Sequence, residues 1–211
     1  MMTVRKKAHF IGVGGIGMSA LAQFYLAKGW QVSGSDLGDS EMLSKLKKIG
    51  LEIFIGHRAL NLLEKADRVI FSAAVQEDNP ELEQARNLEC EIISYAQALG
   101  ELTRQYITIA ISGAHGKSTT TALLSLMLME AGLDPTVIVG TKLREFNPKD
   151  GGNNFRLGQS RYLIIEADEY NKSFLHYYPT VAIITNIDKE HLDTYQNLNN
   201  VLMSSLFEII K

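Results

Sequence analysis

The stretch Ile111–Leu124, ISGAHGKSTTTALL, decides how this chain is built. It joins an apolar run, YITIAIS, to a helical pattern through a glycine-rich turn. Strand, glycine turn and helix in that order gather backbone N–H groups at the positive end of a helix, an arrangement suited to phosphate. The usual pattern G-x-x-x-x-G-K-[ST] is shortened here, because Ile111 stands where its first glycine would be. The essential parts remain. Gly113, Ala114, His115 and Gly116 form the turn, Lys117 supplies a positive charge, Ser118 offers a hydroxyl to Mg2+, and Thr119 continues into the helix. These residues are the candidate ATP-binding set.

A second glycine turn lies upstream, in HFIGVGGIGMSALA, residues 9–22. Gly12, Gly14 and Gly17 complete a G-x-G-x-x-G between a short apolar strand and a helix, which suits close approach of the backbone to a pyrophosphate. Asp36 lies nineteen residues beyond Gly17, at the end of the next strand, where an acid can bind a ribose hydroxyl. Alone, this fingerprint favours an NAD-dependent dehydrogenase and leaves other diphosphate nucleotides open. That enzyme has no general need of Lys117. A chain with both loops can hold a diphosphate-bearing substrate on the first and activate it with a phosphoryl group from ATP on the second. A noncatalytic nucleotide-sugar binding module is the remaining alternative.

The bulk properties fit a globular protein with one large or two modest domains: 211 residues, 45% hydrophobic and 21% charged. A net charge of −3, spread evenly along the chain, argues against nucleic-acid binding, which needs a concentrated basic surface. Cys90 is the sole cysteine, so no internal disulfide forms, and it is not nominated as a nucleophile. Arg5, Lys6 and Lys7 before an apolar stretch mimic a signal peptide, but Gly12, Gly14, Gly15 and Gly17 break any apolar helix there. No segment approaches the ~20 apolar residues of a membrane span. The expectation is a cytoplasmic protein without membrane contact.

Outward from the loops, helix and buried strand alternate. Strands are expected at Ala8–Val13, Gln31–Ser35, LEIFIG, ADRVIFSAA and CEIIS, with helices at Met18–Lys28, Lys45–Ile49, from Asn79 and at YAQALGELTRQ. Asn79 is the expected N-cap, with Pro80 in the first turn. Near Arg104 the cycle restarts with YITIAIS, the second loop and a helix to Glu130, on which Leu123, Leu124, Leu126, Met127 and Leu128 read as core. Strands follow at PTVIVGTKL, RYLIIEAD and TVAIITNI, with NPKDGGNN as a turn or mobile loop and a last helix over about 198–210. The fold class is therefore α/β: a Rossmann-like parallel-sheet domain over 1–104, then a partial P-loop ATPase-type α/β domain over 105–211.

Five motifs, HFIGVGGIGMSALA, SGSD, SAAVQEDNPELEQAR, GAHGKSTTT and IIEADEYNKSFLHYYPTVAIITNIDKEHLDTY, resemble in order and spacing those of the Mur ligases of peptidoglycan synthesis. The resemblance covers nearly the whole chain. It implies an ATP-dependent, Mg2+-assisted ligase whose first domain holds UDP-N-acetylmuramate and whose central domain holds ATP. The sugar carboxylate is activated as an acyl phosphate and attacked by an amine. GVGGIGMS favours L-alanine as that amine over the whole peptide attached by the recycling branch. The family's third domain lies beyond the end of this sequence, which predicts little or no turnover by the chain alone. An incomplete central sheet would also leave an edge open to self-association or local disorder.

By the same resemblance, Gly14, Gly15, Ile16, Gly17, Ser35, Asp36, His57 and Ser72 belong to the sugar-nucleotide site, with Asn61 beside His57. Glu166, at the exit of the strand YLII, matches the family's metal-binding glutamate, with Asp168 and Glu169 beside it. His191 matches the histidine that holds the second metal at the γ-phosphate, although Glu190 precedes it where many relatives carry Asp. Lys117, Glu166 and His191 are thus the candidate catalytic set, and Ser118, Glu166 and His191 the metal ligands. Thr185 and Asn186 are expected to support the His191 loop, and His115 to lie near phosphate. His9, His176, Tyr177 and Tyr178 read as structural.

Overall fold

The computed structural model describes residues 5–167 and 176–186. The chain separates into two compact units, Met1–Tyr95 and Ala96–Lys211. Asp168, Glu169, Glu190, His191 and the helix expected over 198–210 lie outside the described residues.

The first unit runs β1 (Lys7–Ile11), α1 (Ile16–Ala27), β2 (Gln31–Asp36), α2 (Glu41–Lys48), β3 (Glu52–Ile55), β4 (Arg68–Phe71), α3 (Pro80–Asn87) and β5 (Glu91–Ser94). Its five strands form a parallel sheet in the order β3-β2-β1-β4-β5. The order reverses beside β1, so a crevice opens at the carboxyl end of that strand. Both faces of the sheet are covered, which explains the apolar character of the strands. Phe10 meets Tyr25 of α1 edge to face at 5.5 Å, while Ile11 packs with Leu62, Val69, Leu82 and Ala85 on the other side. Every residue of α1 from Met18 to Tyr25 is buried. The helix begins at Ile16, two residues earlier than the sequence pattern suggested, so its first turn reaches directly into the glycine loop. At α3 the cap forms as expected, with Asn79 Oδ1 accepting the N–H groups of Glu81 at 2.9 Å and Leu82 at 3.4 Å.

The helix α4 (Tyr95–Thr103) leads into β6 (Ile107–Ser112), α5 (Lys117–Glu130), β7 (Thr136–Leu143), β8 (Asn153–Arg156), β9 (Tyr162–Glu166) and β10 (Val181–Ile184). The strand order is β10-β6-β9-β7-β8, parallel except for β8. Two expectations are corrected here. The loop read at NPKDGGNN ends two residues early, because Asn153 and Asn154 already belong to β8; Gly151 and Gly152, at φ +74 and +97, turn the chain back onto β7. The apolar run on α5 is also not uniformly core. Thr121 and Ser125 are its fully buried residues, Leu124 and Leu128 pack partly against Ile111, Val137, Val139 and Ile164, and Leu123 and Met127 are 58% and 67% exposed. Small side chains let the helix lie close to the sheet, and the larger leucines fill the flanks. Among the described residues β10 is an edge strand, with Val181 47% exposed.

Candidate functional site

In the first unit the glycine loop is held from below by β2. The Ser35 carbonyl accepts the N–H groups of Gly12 at 2.8 Å and Val13 at 3.0 Å, and Asp36 Oδ2 accepts Gly14 N–H at 2.8 Å. Gly12 sits at φ +83, which a side chain would resist, and a Cβ on Gly14 would stand 2.8 Å from Asp36 Oδ2. Gly15 caps α1, accepting Ser19 N–H at 2.8 Å, and Ile16 is 41% exposed at the helix start. A Cβ on Gly17 would collide with the Tyr95 hydroxyl at 2.6 Å, so the third glycine serves packing. Ser72 follows β4 and lies against Gly12, its Oγ accepting Ala74 N–H at 3.4 Å.

Sequence reasoning missed the centre of this arrangement, the carboxylate of Glu81. It is completely buried and accepts from four donors: His9 Nε2 at 3.4 Å, the Ser35 hydroxyl, Asn61 Nδ2 and the Arg58 backbone N–H at 3.3 Å. Burial pushes its pKa up, but hydrogen bonds from His9, Ser35 and Asn61, with attraction to His9, outweigh that and hold it below the usual glutamate value. Ser35 Oγ also meets His57 Nδ1 at 2.9 Å, and His9 Nδ1 meets Ser33 Oγ at 2.8 Å. Ser35, grouped from the sequence with the ligand-binding residues, is itself fully buried and acts on the loop through its carbonyl. His9, read as structural, is part of the same cluster. In sequence Glu81 looks like an ordinary acid in a helix's first turn; the available signal was its place just after the Asn79-Pro80 cap.

In the second unit the loop after β6 turns at Gly113 and Gly116, with φ of +130 and +82, and Gly116 caps α5. Lys117 Nζ donates to the Gly113 carbonyl at 2.6 Å, so the ammonium folds over the loop that precedes it. Ser118 Oγ donates to Glu166 Oε2 at 3.2 Å, and Glu166 Oε1 accepts Gly140 N–H at 2.8 Å. The β6–β9 register places Glu166 opposite Ile111, one step before the loop. Thr185 and Asn186 grip the glycine loop; the His191 loop that they are expected to support lies outside the described residues. Asn186 Oδ1 accepts His115 N–H at 2.9 Å, and the His115 carbonyl accepts from Thr185 Oγ1 at 2.6 Å and Asn186 Nδ2 at 3.1 Å. Gly140 was not foreseen either; a Cβ there would stand 2.7 Å from Glu166 Oε2. A glycine inside the strand TVIVGTKL was its only sequence signal.

Ser118 and Glu166 offer a hydroxyl and a carboxylate side by side at a phosphate-type loop. This hard oxygen set fits Mg2+, which keeps several waters and takes its remaining ligands from phosphates. Among the described residues no three His, Cys, Asp or Glu side chains gather into a fuller metal cage.

Two family models match the chain, "Mur ligase family, catalytic domain" over residues 7–107 and "Mur ligase middle domain" over residues 111–211. The chain belongs to the Mur ligase family. Mur ligases are ATP-dependent ligases that generally use Mg2+. UDP-N-acetylmuramate–L-alanine ligases of Psychrobacter sp. and Aquifex aeolicus are 45% and 47% identical to it over 98% and 93% of its length. The chain spans 42% of each of those relatives. Among solved Mur ligase structures, the UDP-N-acetylmuramate–alanine ligase of Thermotoga maritima superposes with a TM-score of 0.87 at 33% identity, covering 96% of this chain and 46% of that one. The UDP-N-acetylmuramate:L-alanyl-gamma-D-glutamyl-meso-diaminopimelate ligase of Neisseria meningitides gives 0.86 at 28% identity, covering 98% and 68%. The α/β class with a parallel Rossmann-like sheet is the Mur ligase fold.

Proposed function

We propose that this chain carries the sugar-nucleotide and ATP-phosphate sites of a ligase that joins L-alanine to UDP-N-acetylmuramate. The observation that carries the proposal is the pair of loops: one glycine turn backed by Asp36 and the Glu81 cluster, and a second with Lys117 above it and Ser118 against Glu166. The boundary between the two functions lies near residue 104, where the strand-loop-helix cycle restarts.

In the proposed reaction the muramate carboxylate attacks the γ-phosphorus of ATP, the bond to ADP breaks, and the amine then displaces phosphate from the acyl phosphate. Gly14, whose N–H is held by Asp36, and Gly15 let the backbone come close to the diphosphate, and Ile16 and Gly17 begin the helix whose N-terminus faces it. Asp36, His57 and Ser72 surround the nucleotide, with Ser35 behind them. On the second loop, Gly113–Gly116 cradle the ATP phosphates and His115 and Thr119 flank them. Lys117 neutralises charge that develops on the transferred phosphoryl group, exchanging the Gly113 carbonyl for a phosphate oxygen. Ser118, Glu166 and His191 would hold Mg2+, which would offset charge on the phosphates. No protein nucleophile is needed.

The recycling branch remains a second reading, because the Neisseria neighbour superposes as well as the alanine ligase does. Soluble nucleotide substrates point to the cytoplasm; among the described residues no helix is long and apolar enough to cross a membrane. The test is calorimetric titration of the chain with UDP-N-acetylmuramate, with UDP-N-acetylglucosamine and NADH as comparisons. Saturable binding of the muramate nucleotide, weakened in Gly14→Ala, is expected. Tight NADH binding without a response to the muramate nucleotide would overturn the proposal.

A further inference from the structure

The proton positions around Glu81 follow from the network. An ionised carboxylate only accepts hydrogen bonds, so the single Ser35 hydroxyl proton points to Glu81 Oε2. The Ser35 oxygen is then left to accept, and His57 Nδ1, 2.9 Å away, must be the donor. Every hydrogen bond and ion pair of His57 among the described residues uses Nδ1; Nε2 makes none. The imidazole lies at the carboxyl end of β3, beside the strand whose Ser35 and Asp36 hold the glycine loop, with its side chain 12% exposed.

We propose that Glu81 is a positioning residue of the sugar-nucleotide site: by committing the Ser35 proton it locks His57 in the Nδ1–H tautomer, leaving Nε2 as a bare acceptor. The inference rests on the sugar-nucleotide reading of the first unit. It also narrows what His57 recognises. In its neutral form a bare Nε2 cannot bond a diphosphate oxygen, which has no proton to give. Its partner is a donor on the nucleotide, a sugar hydroxyl or the imide N–H of the base.

Glu81→Gln tests this with little change of shape. The new amide must turn its N–H2 toward one pair of neighbours. Arg58 offers a backbone N–H that cannot be reversed, and Asn61 Nδ2 also donates to the Gly56 carbonyl at 2.8 Å. Ser35 and His9 can both reverse. The amide therefore faces them, Ser35 turns its proton to His57 Nδ1, and His57 becomes the Nε2–H tautomer. Carboxylate-to-amide exchange next to a histidine produces this kind of tautomer error while leaving geometry intact.

The experiment combines two-dimensional 15N NMR of the histidine rings with calorimetry, using the 211-residue chain and UDP-N-acetylmuramate. In the wild type we expect His57 as Nδ1–H, and a displaced Nε2 resonance on saturation with the nucleotide. In Glu81→Gln we expect Nε2–H and about tenfold weaker binding. An Nε2–H tautomer in the wild type overturns the proposal whether or not the variant folds, as does an Nε2 resonance indifferent to bound nucleotide. A switched tautomer with unchanged affinity overturns the recognition role. If the wild type binds no muramate nucleotide, the sugar-nucleotide reading falls and takes the ligand role with it, while the ligand-free spectra still decide whether Glu81 sets the tautomer.

Discussion

Each unit sets a glutamate behind its glycine loop, and the two are treated in opposite ways. Glu81 is sealed in the first unit with all its acceptor positions filled by protein donors. Glu166 is half-buried in the second, with one oxygen on Gly140 N–H and the other on the hydroxyl proposed to share its metal ion. A saturated, buried carboxylate has no capacity left for a ligand and can only organise its neighbours. A carboxylate in contact with solvent can exchange a hydroxyl partner for a cation at little cost. The difference between scaffold and ligand is set by burial, although both residues are Glu.

The strongest way to break that comparison is to delete both side chains. Glu81→Ala strands buried donors on His9, Ser35 and Asn61, so urea denaturation should show a loss of about 3–5 kcal/mol. Glu166→Ala should cost less than about 1 kcal/mol in the same measurement, while abolishing any effect of Mg2+ on nucleotide affinity. Equal destabilisation by the two would end the distinction. Next in size, Lys117→Ala should weaken ATP binding by about ten- to a hundredfold, equivalent to about 1.4–2.7 kcal/mol, without moving the melting temperature. An unchanged ATP affinity would remove the second loop from the phosphate site.

Acid titration sharpens the comparison further. The folded-state pKa of Glu81 is lowered, so the folded protein releases this proton more readily than the unfolded chain. Its contribution is therefore complete above the unfolded-state value, near 4.5, and is lost as pH falls through the lower folded-state value. Below about pH 5 the stability of the wild type should fall more steeply than that of Glu81→Gln. Parallel curves would mean that Glu81 titrates alike in both states. Asp134 behaves in the same direction, held low by its hydrogen bond from Arg156 and then that from Gln159 N–H, so it should contribute to the wild-type slope in both proteins and cancel in the comparison.

What the sequence made legible follows the same division. Glycine turns, a Pro-Asn cap and apolar strands act over a few residues, and their chemistry is written locally. Both loops, the Asn79 cap and Glu166 at a strand exit therefore stand where the residues placed them. Glu81 and Gly140 depend on chain segments far apart in sequence. Glu81 meets His9 across 72 residues and Gly140 meets Glu166 across 26, distances that only sheet order and register fix. The α5 leucines failed for a related reason. Helical periodicity shows that a stripe exists, but which stripe lies on the sheet depends on how closely Thr121 and Ser125 let the helix approach. That Thr185 and Asn186 reach the glycine loop was not legible, since nothing local shows that β10 lies beside β6.

The smallest effect is expected at Gly140. Alanine there would bring a methyl carbon 2.7 Å from Glu166 Oε2, close enough that the carboxylate must turn. Because the neighbour is the end of a side chain, the strand itself need not move, and stability should change by less than about 1 kcal/mol. The Glu166 carboxylate would lose its alignment with Gly140 N–H and shift relative to Ser118. Mg2+-dependent ATP affinity should then fall by about two- to fivefold in calorimetry, with Mg2+-free affinity unchanged. A loss of stability with metal dependence intact would place Glu166 with Glu81 as a scaffold residue, and the contrast between the two carboxylates would vanish.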